Sequence, residues 1–175
     1  MTQWELQGRF AVSAENDGGQ ADIIWKQNDS RYDIRVIYPF GQGGARVEGD
    51  ESGVWLKTDA GDTHWAEDAE NLLTEITQLH LPVEGLRYWM LGMPLPEVKI
   101  DSQEYDVEGR LRVLAQQGWR ITIERYQKVQ DVDLPQKLLL TRNGGARLDV
   151  KMIVREWTLI SAVVRKDVPR IPSPF

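Results

Sequence analysis

The stretch Trp4-Glu5-Leu6-Gln7-Gly8-Arg9-Phe10-Ala11-Val12 decides the fold class. Its large apolar residues occupy every second position, with polar residues between them. The apolar face consists of Trp4, Leu6, Phe10 and Val12, and the opposite face of Glu5, Gln7 and Arg9. Successive side chains of a β-strand point to opposite faces, so this period of two predicts a half-buried strand.

The same period recurs along most of the chain. Short runs rich in Asn, Asp and Gly, such as 15–19, 28–30 and 143–145, separate the segments and indicate turns between antiparallel strands. After a second strand around Ile23 and Trp25, the predicted strands are 31–38, 46–48, 54–57, 104–107, 111–115, 119–126, 137–142, 146–154 and 157–159. The pattern predicts a mainly β fold of about ten strands.

Between 63 and 93 the apolar period becomes helical. One stripe consists of Ala69, Leu72, Leu73 and Ile76, and it follows an acidic first turn. A second helix is predicted from 83 to 91, ended by Gly92 and Pro94. We therefore expect one domain over 1–160, with a helical insertion at about 66–92, and a Pro-rich C-terminal tail over 161–175.

Composition argues against several function classes. The net charge of −6 opposes a nucleic-acid surface, and the absence of cysteine excludes disulfides and thiolate metal sites. The Gly-rich run 41–44 lacks the Lys-Ser/Thr of a phosphate loop, and no G-x-S-x-G nucleophile turn is present. The two histidines, His64 and His80, do not form a metal-binding pattern. We expect no enzyme activity, cofactor or metal.

Whether the sheet encloses a hollow is not settled by periodicity. A sheet of about ten strands curls as its twist accumulates, and it then either packs solid or leaves a ligand cavity. The large residues expected on its inner face are Trp4, Phe10, Trp25, Tyr32, Trp119, Met152 and Trp157. These residues suit a core and a cavity equally well, so both interpretations stay open at this point.

A family resemblance is carried by residues 64–94. Trp65-Ala66-Glu67-Asp68-Ala69-Glu70 is followed by Pro82-Val83-Glu84-Gly85-Leu86-Arg87-Tyr88-Trp89-Met90-Leu91-Gly92-Met93-Pro94. The two segments resemble the LolB family, in which a D-A-E segment and a helix precede P-x-x-x-L-R-x-W-[ILM]-L-G-x-P. The resemblance extends over roughly 4–159, although the strands alone are less specific than the helical segment.

The resemblance implies an incomplete antiparallel β-barrel with lid helices over an apolar cavity, a fold shared with the periplasmic carrier LolA. It implies a monomer that receives triacylated lipoproteins from LolA and inserts them into the inner leaflet of the outer membrane. It places the protein at the periplasmic face of that membrane. Members of the family are anchored through an N-terminal Cys, so the resemblance implies a lipid-anchored native form. This chain lacks the anchor Cys and resembles either a soluble form or an unanchored relative, and we expect that any export signal has been removed.

The resemblance also implies functional residues. The membrane-insertion loop would be Pro39, Phe40 and Gly41, with Phe40 in place of the family's exposed Leu; an aromatic ring suits the membrane interface. Without the resemblance, Phe40 would be read as a plug that folds back onto its own sheet. The expected acyl-cavity lining is Trp25, Ile34, Val36, Trp89, Met90, Leu91, Met93, Trp119, Ile121 and Met152.

Two alternatives to this function remain at the level of sequence. One is a periplasmic, lipocalin-like binder of another apolar ligand without membrane-delivery activity. The other is a structural interaction domain with a solid core and no ligand.

Overall fold

Eleven β-strands form one antiparallel sheet in the computed structural model, which describes residues 3–15, 17–77 and 80–160, apart from the side chains of Ile76 and Thr77. The strands are β1 Gln3–Ala14, β2 Gly18–Asn28, β3 Arg31–Ile37, β4 Gly44–Asp50, β5 Gly53–Thr58, β6 Thr63–Ala66, β7 Ile100–Tyr105, β8 Leu111–Gln116, β9 Trp119–Val129, β10 Val132–Arg142 and β11 Leu148–Leu159. The helices are α1 Ala69–Thr77 and α2 Val83–Trp89, with a short 3-10 turn at Pro39–Gly41. The tail 161–175 and the side chain of Ile76 from the predicted helical stripe lie outside the described residues.

The sheet is made of two meanders joined through the chain's first and last strands. Its order is β6-β5-β4-β3-β2-β1-β11-β10-β9-β8-β7, so β1 pairs with β11 at the centre, and β6 and β7 form the two edges. The connection that carries α1 and α2 runs from one edge strand to the other. The predicted mainly β class with an unclosed antiparallel sheet is thus confirmed.

The differences from the predicted strands lie mostly at the edges. Residues 63–66, expected to begin the helical region, form β6 and pair with β5. Strand β7 begins at Ile100 and ends at Tyr105, earlier than the predicted 104–107, and Asp106–Gly109 is a turn. All six residues of β7 are exposed, so it has no apolar alternation from which its position could be read.

Three tryptophans hold the centre of the sheet. Trp4 of β1 is buried, and its ring centroid lies 5.3 Å from that of Trp25 on β2 and 5.4 Å from that of Trp157 on β11. Tilted and edge-on contacts of this kind are the favourable geometry for aromatic pairs. These contacts stabilise the pairing of β1 with β2 and with β11.

Helix α2 packs into the concave face of the sheet. Trp89 and Met90 at its C-terminal end are fully buried and belong to the same apolar cluster as Trp4 and Trp25. Helix α1 covers a separate, smaller cluster, which comprises Val47, Val54, Leu56, Ala69 and Leu72. The concave face is therefore filled by packed side chains.

The packing of α2 predicts an unusual response to Gly85→Ala. An ideal Cβ at Gly85 would lie 2.7 Å from a ring carbon of the buried Trp89. In an exposed helix this change stabilises by about 1 kcal/mol, but overpacking a core costs about 1–3 kcal/mol. We expect the free energy of unfolding in urea to fall. The control is Gly19→Ala, where a Cβ meets no atom within 4 Å; an unchanged or increased value for Gly85→Ala would contradict the packing.

Candidate functional site

The loop between β3 and β4 is a tight turn that exposes one phenylalanine. The Tyr38 N–H donates to the Gly43 carbonyl at 2.9 Å, and the Gln42 N–H donates to the Pro39 carbonyl at 3.3 Å. These bonds close the loop around Pro39–Gly41, while the Phe40 side chain is 96% exposed. The ring does not fold back onto its own sheet.

The backbone of the loop is what directs Phe40 outward. Phe40 has φ 59° and ψ 29°, in the left-handed region that a bulky side chain rarely adopts, and Gly41 and Gly43 also have positive φ. Such a conformation costs about 1–2 kcal/mol, so the surrounding hydrogen bonds must hold it. The adjacent Ile37 and Tyr38 are exposed as well, which makes the loop an apolar projection.

Charged side chains of the sheet form ion pairs beside the loop. Asp22, opposite Ile37 across β2 and β3, accepts a hydrogen bond from Arg9 Nε at 3.0 Å and another from Arg155. The Arg9 hydrogen bond, followed by that from Arg155, lowers the pKa of the Asp22 carboxyl. The predicted loop residues Pro39, Phe40 and Gly41 thus lie next to a cluster of one carboxylate and two guanidiniums.

A cleft of about 560 Å³ opens at the other end of β3, between the helices and the sheet. Its apolar part includes Trp25, Tyr32, Ala69 and Val83. Six carboxylates and one guanidinium also line it: Asp50, Glu51, Glu67, Asp68, Glu70, Glu84 and Arg87. The cleft is therefore an apolar floor within an acidic rim.

The acidic rim changes the titration of the groups at its edge. Burial, followed by the charges of Asp68 and Glu84, raises the pKa of Glu70, whose carboxylate also accepts a hydrogen bond from the Glu84 backbone N–H. Burial and the nearby charges of Asp68 and Asp50 raise the pKa of Tyr32. The Glu70 contact joins α1 to the first turn of α2 at a surface position close to two other carboxylates.

Nine of the ten residues predicted to line an acyl cavity are buried or half-buried. Six are buried in the main core cluster: Trp25, Trp89, Met90, Trp119, Ile121 and Met152. Ile34 and Leu91 are half-buried against that cluster, Val36 is half-buried, and Met93 is exposed. Of the ten, only Trp25 borders the 560 Å³ cleft. Their role as a ligand lining stays a prediction, because six of them are packed in the core cluster.

Sequence reasoning missed Gln116, at the end of β8. Its side chain is fully buried, and its Oε1 accepts hydrogen bonds from Trp89 Nε1 at 3.1 Å and from the Leu95 N–H at 2.9 Å. Its Nε2 donates to the carbonyls of Leu95 at 2.9 Å and Val98 at 3.0 Å. A glutamine beside a turn looks like a surface residue in sequence, so no local signal marks this contact.

Gln27 on β2 is a second buried glutamine that sequence reasoning missed. It accepts from Trp25 Nε1 at 3.0 Å and donates to the Asp29 carbonyl at 2.7 Å. The guanidinium of Arg87 on α2 donates to the same carbonyl. A chain of hydrogen bonds thus connects a core tryptophan with the exposed side of the helix.

Helix α2 ends in a Schellman motif, as the predicted Gly92 stop requires. Gly92 has φ 72°, its N–H donates to the Trp89 carbonyl at 2.9 Å, and the Met93 N–H donates to the Tyr88 carbonyl at 3.1 Å. An ideal Cβ at Gly92 would lie 3.0 Å from the Tyr126 hydroxyl. Glycine is required here for both its backbone angle and its close contact.

In the part of the chain that the structure describes, no group of three or more His, Asp or Glu side chains is arranged to hold a metal ion. No helix there is long and apolar enough to cross a membrane.

The raised pKa of Glu70 predicts a stabilising effect of Glu70→Gln at neutral pH. A carboxyl whose folded-state pKa lies above its ordinary value of 4.5 disfavours the folded form while it is ionised, and this penalty disappears as the pH falls and the group is protonated. We expect a higher midpoint of thermal unfolding than wild type at pH 7, with the difference shrinking towards pH 4.5.

The matched control for this comparison is Glu51→Gln, on the same rim, which should change the midpoint less. If Glu70→Gln is less stable than wild type at pH 7, the hydrogen bond from the Glu84 N–H outweighs the cost of burying the charge.

Comparison with known proteins gives a family and a fold. The family described as "Outer membrane lipoprotein LolB" matches residues 2–157. An outer-membrane lipoprotein LolB from Alkalilimnicola ehrlichii is 34% identical over 158 residues, covering 90% of this chain and 78% of its own length. One from Halorhodospira halophila is 36% identical over 152 residues, covering 87% and 74%.

Among solved structures, a LolA superfamily protein from Nitrosomonas europaea superposes with a TM-score of 0.55. The alignment covers 92% of this chain and 87% of that one, at 5% sequence identity, so it shows a shared fold. The unclosed sheet with two helices on its concave face, the family match over nearly the whole chain and relatives above 30% identity agree with one another. We conclude that this chain belongs to the LolB family of outer-membrane lipoproteins.

Proposed function

We propose that this protein receives lipoproteins from a LolA-like periplasmic carrier, shelters their acyl chains beneath α1 and α2, and inserts them into the inner leaflet of the outer membrane. Family membership supports a role in lipoprotein localisation. The observation that carries the delivery step is Phe40, which is 96% exposed on a loop held by its own hydrogen bonds. The protein acts at the periplasmic face of the membrane, as a monomer on triacylated cargo.

The interior supplies an apolar route for acyl chains. The inner face of β3 carries Tyr32, Ile34 and Val36, which run from the cleft towards the Phe40 loop. The strand has seven residues, so the cleft and the loop are roughly 20 Å apart at about 3.3 Å per residue. Acyl chains that enter at the cleft could lie along this face and leave near the loop.

The volume of the cleft requires the helices to move. A cleft of about 560 Å³ lies within the range of about 300–1,000 Å³ that is typical of a site for one small molecule. Three long acyl chains need more space, so the α1–α2 segment must shift when cargo enters.

Release must remain possible after acceptance. Each enclosed methylene contributes about 0.8 kcal/mol, so permanent enclosure of several chains would hold the cargo too tightly. A covering that opens avoids this problem. The direction of transfer then follows from affinity for the acyl chains. This protein binds them more tightly than the carrier does and less tightly than the membrane does, so no nucleotide is required.

Phe40→Glu tests the delivery step. The variant should accept radiolabelled lipoprotein from the carrier as wild type does, because Phe40 contacts neither the cleft nor the core. Burial of an aromatic side chain contributes about 1.5–3 kcal/mol, and a charge at the interface is unfavourable, so transfer to phospholipid vesicles should fall at least about tenfold.

The matched control is Val107→Glu, at an apolar residue that is 100% exposed in the turn after β7; it should deliver normally. Phe40→Leu should retain delivery. If Phe40→Glu delivers as well as wild type, the loop is not the insertion element. If wild type accepts no lipoprotein, the proposed function fails and binding of another apolar ligand without delivery is favoured.

A further inference from the structure

The two edge strands of the sheet differ in how they are protected against pairing with another chain. Strand β7 carries charged residues at Asp101 and Glu104, and two register shifts interrupt its pairing with β8. Bulges and charges of this kind prevent a sheet edge from accepting a further strand. Strand β6 pairs with β5 without a register shift, and it contains no Asp, Glu, Lys, Arg or Pro. In the described part of the chain, one edge is therefore blocked and the other is open.

The register of β6 shows which of its backbone groups point away from the sheet. In the turn before β6, the Thr58 N–H donates to the Asp62 carbonyl at 2.9 Å. Hydrogen-bonded and non-bonded pairs alternate along an antiparallel ladder, so Trp55 and Trp65 face each other in a non-bonded pair. The N–H and carbonyl groups of Thr63 and Trp65 therefore point outwards, where an added strand would bind them.

Two exposed tryptophans lie beside this open edge. Trp55 is on the convex face, because its neighbours Val54 and Leu56 are buried on the concave one. Its ring centroid lies 6.5 Å from that of Trp65, and both side chains are about half exposed. An ideal Cβ at Gly53, which lines the 560 Å³ cleft, would lie 2.8 Å from Trp65 Nε1. The aromatic pair thus supplies apolar contact area at the edge and next to the cleft.

Exposed carboxylates flank β6 at both ends. Asp59 and Asp62 precede the strand, and Glu67 and Asp68 follow it. If two copies of the chain paired through β6 in either direction, the carboxylates of one copy would lie beside those of the other. Their repulsion, added to the net charge of −6, opposes self-pairing. An extended peptide with basic residues at its ends would instead find complementary charge.

We propose that β6 binds, as an added antiparallel strand, an extended segment of the cargo lipoprotein that follows its acylated residue and has basic residues at both ends. The inference rests on the proposed function, which places the acyl chains in the cleft. Glu67 lines the cleft directly after Ala66, and the Asp59 N–H at the other end of β6 donates to the Gly44 carbonyl. A segment that leaves the cleft therefore runs from Ala66 towards Thr63, over roughly 13 Å.

NMR of the full chain with an acyl-free peptide tests the edge. The probe is Lys-Thr-Val-Thr-Val-Thr-Lys, compared with the same peptide carrying Glu at both ends. Near saturation, the Lys-ended peptide should slow amide exchange at Thr63 and Trp65 at least about tenfold and leave Ser102 of β7 unchanged. The Glu-ended peptide should bind at least about fivefold more weakly, with a difference that shrinks as salt is added. Absence of protection at Thr63 and Trp65, or equal affinity of the two peptides, would overturn the proposal.

Substitutions at the edge separate backbone pairing from nonspecific adhesion. Thr63→Pro removes the outward N–H but no ladder bond to β5, and it should raise the Kd of the Lys-ended peptide at least about tenfold. The matched control is Thr63→Val, which keeps the N–H and should bind as wild type does. Undiminished binding by Thr63→Pro counts against an added strand.

A charge reversal decides the matter if Thr63→Pro does not fold. Glu67→Lys should weaken binding of the Lys-ended peptide and strengthen binding of the Glu-ended one, because it changes one flank of β6. Unchanged affinity for both peptides would overturn the proposal. A wild-type dimer in sedimentation that Thr63→Pro abolishes would also overturn it, since the edge would then bind a second copy.

The connection with the cleft is tested by an acylated probe. The Lys-ended peptide with an N-terminal palmitoyl group should bind more tightly, and a spin label at its C-terminus should broaden the Gly61 amide more than the Ala69 amide. The opposite order would contradict the antiparallel direction. If the peptides protect β6 but wild type accepts no lipoprotein from the carrier, the proposed function fails and the peptide-binding edge stands. If lipoprotein is accepted but neither peptide protects β6, only the edge proposal fails.

Discussion

An antiparallel sheet with two unpaired edges must have its apolar concave face covered by something other than a strand. Here β1 and β11 join the meanders at the centre, and β6 and β7 end the sheet on either side. The connection between those two edges is the segment that contains α1 and α2. The same segment is therefore the covering of the core and the element that must move if the core is to accept a ligand.

This double role explains where the buried polar groups lie. Gln27 and Gln116 are the fully buried polar side chains among the described residues, and each accepts a hydrogen bond from a tryptophan indole. An indole supplies a large apolar surface together with one N–H that needs a partner. Gln116 meets that need while fixing α2, and Gln27 meets it beside the weaker Arg87 contact. The hydrogen bonds that satisfy buried tryptophans thus lie at the places where α2 is joined to the sheet.

Sequence was most informative where one face of a strand is buried. The alternation in 4–12 and 31–38 predicted β1 and β3 because their two faces differ in exposure. It failed at β7, whose residues are all exposed, and divided β11 into two segments that the structure joins. The predicted Gly92 stop was read correctly because glycine signals a helix end directly.

The candidate site was only partly accessible to sequence. The family resemblance identified Phe40, but its outward direction depends on a left-handed backbone that no local pattern specifies. The same apolar residue types occur in a solid core and in the lining of a cavity. The sequence pattern therefore could not show that Trp89 and Met90 fill the concave face. Gln116 was invisible because its role depends on a tryptophan 27 positions away.

Strand β3 lies between the two surfaces that the proposed function uses. An acidic rim suits exchange with a protein partner but would be repelled by an anionic membrane surface. An exposed aromatic loop suits a membrane but would be a liability beside an open apolar cleft, because the two could associate with each other. Placing the rim at one end of the strand and Phe40 at the other, roughly 20 Å away, keeps both contacts available. Under the proposed function, the inner face of the same strand connects acceptance at the cleft with delivery at the loop, and the two steps can then be altered independently.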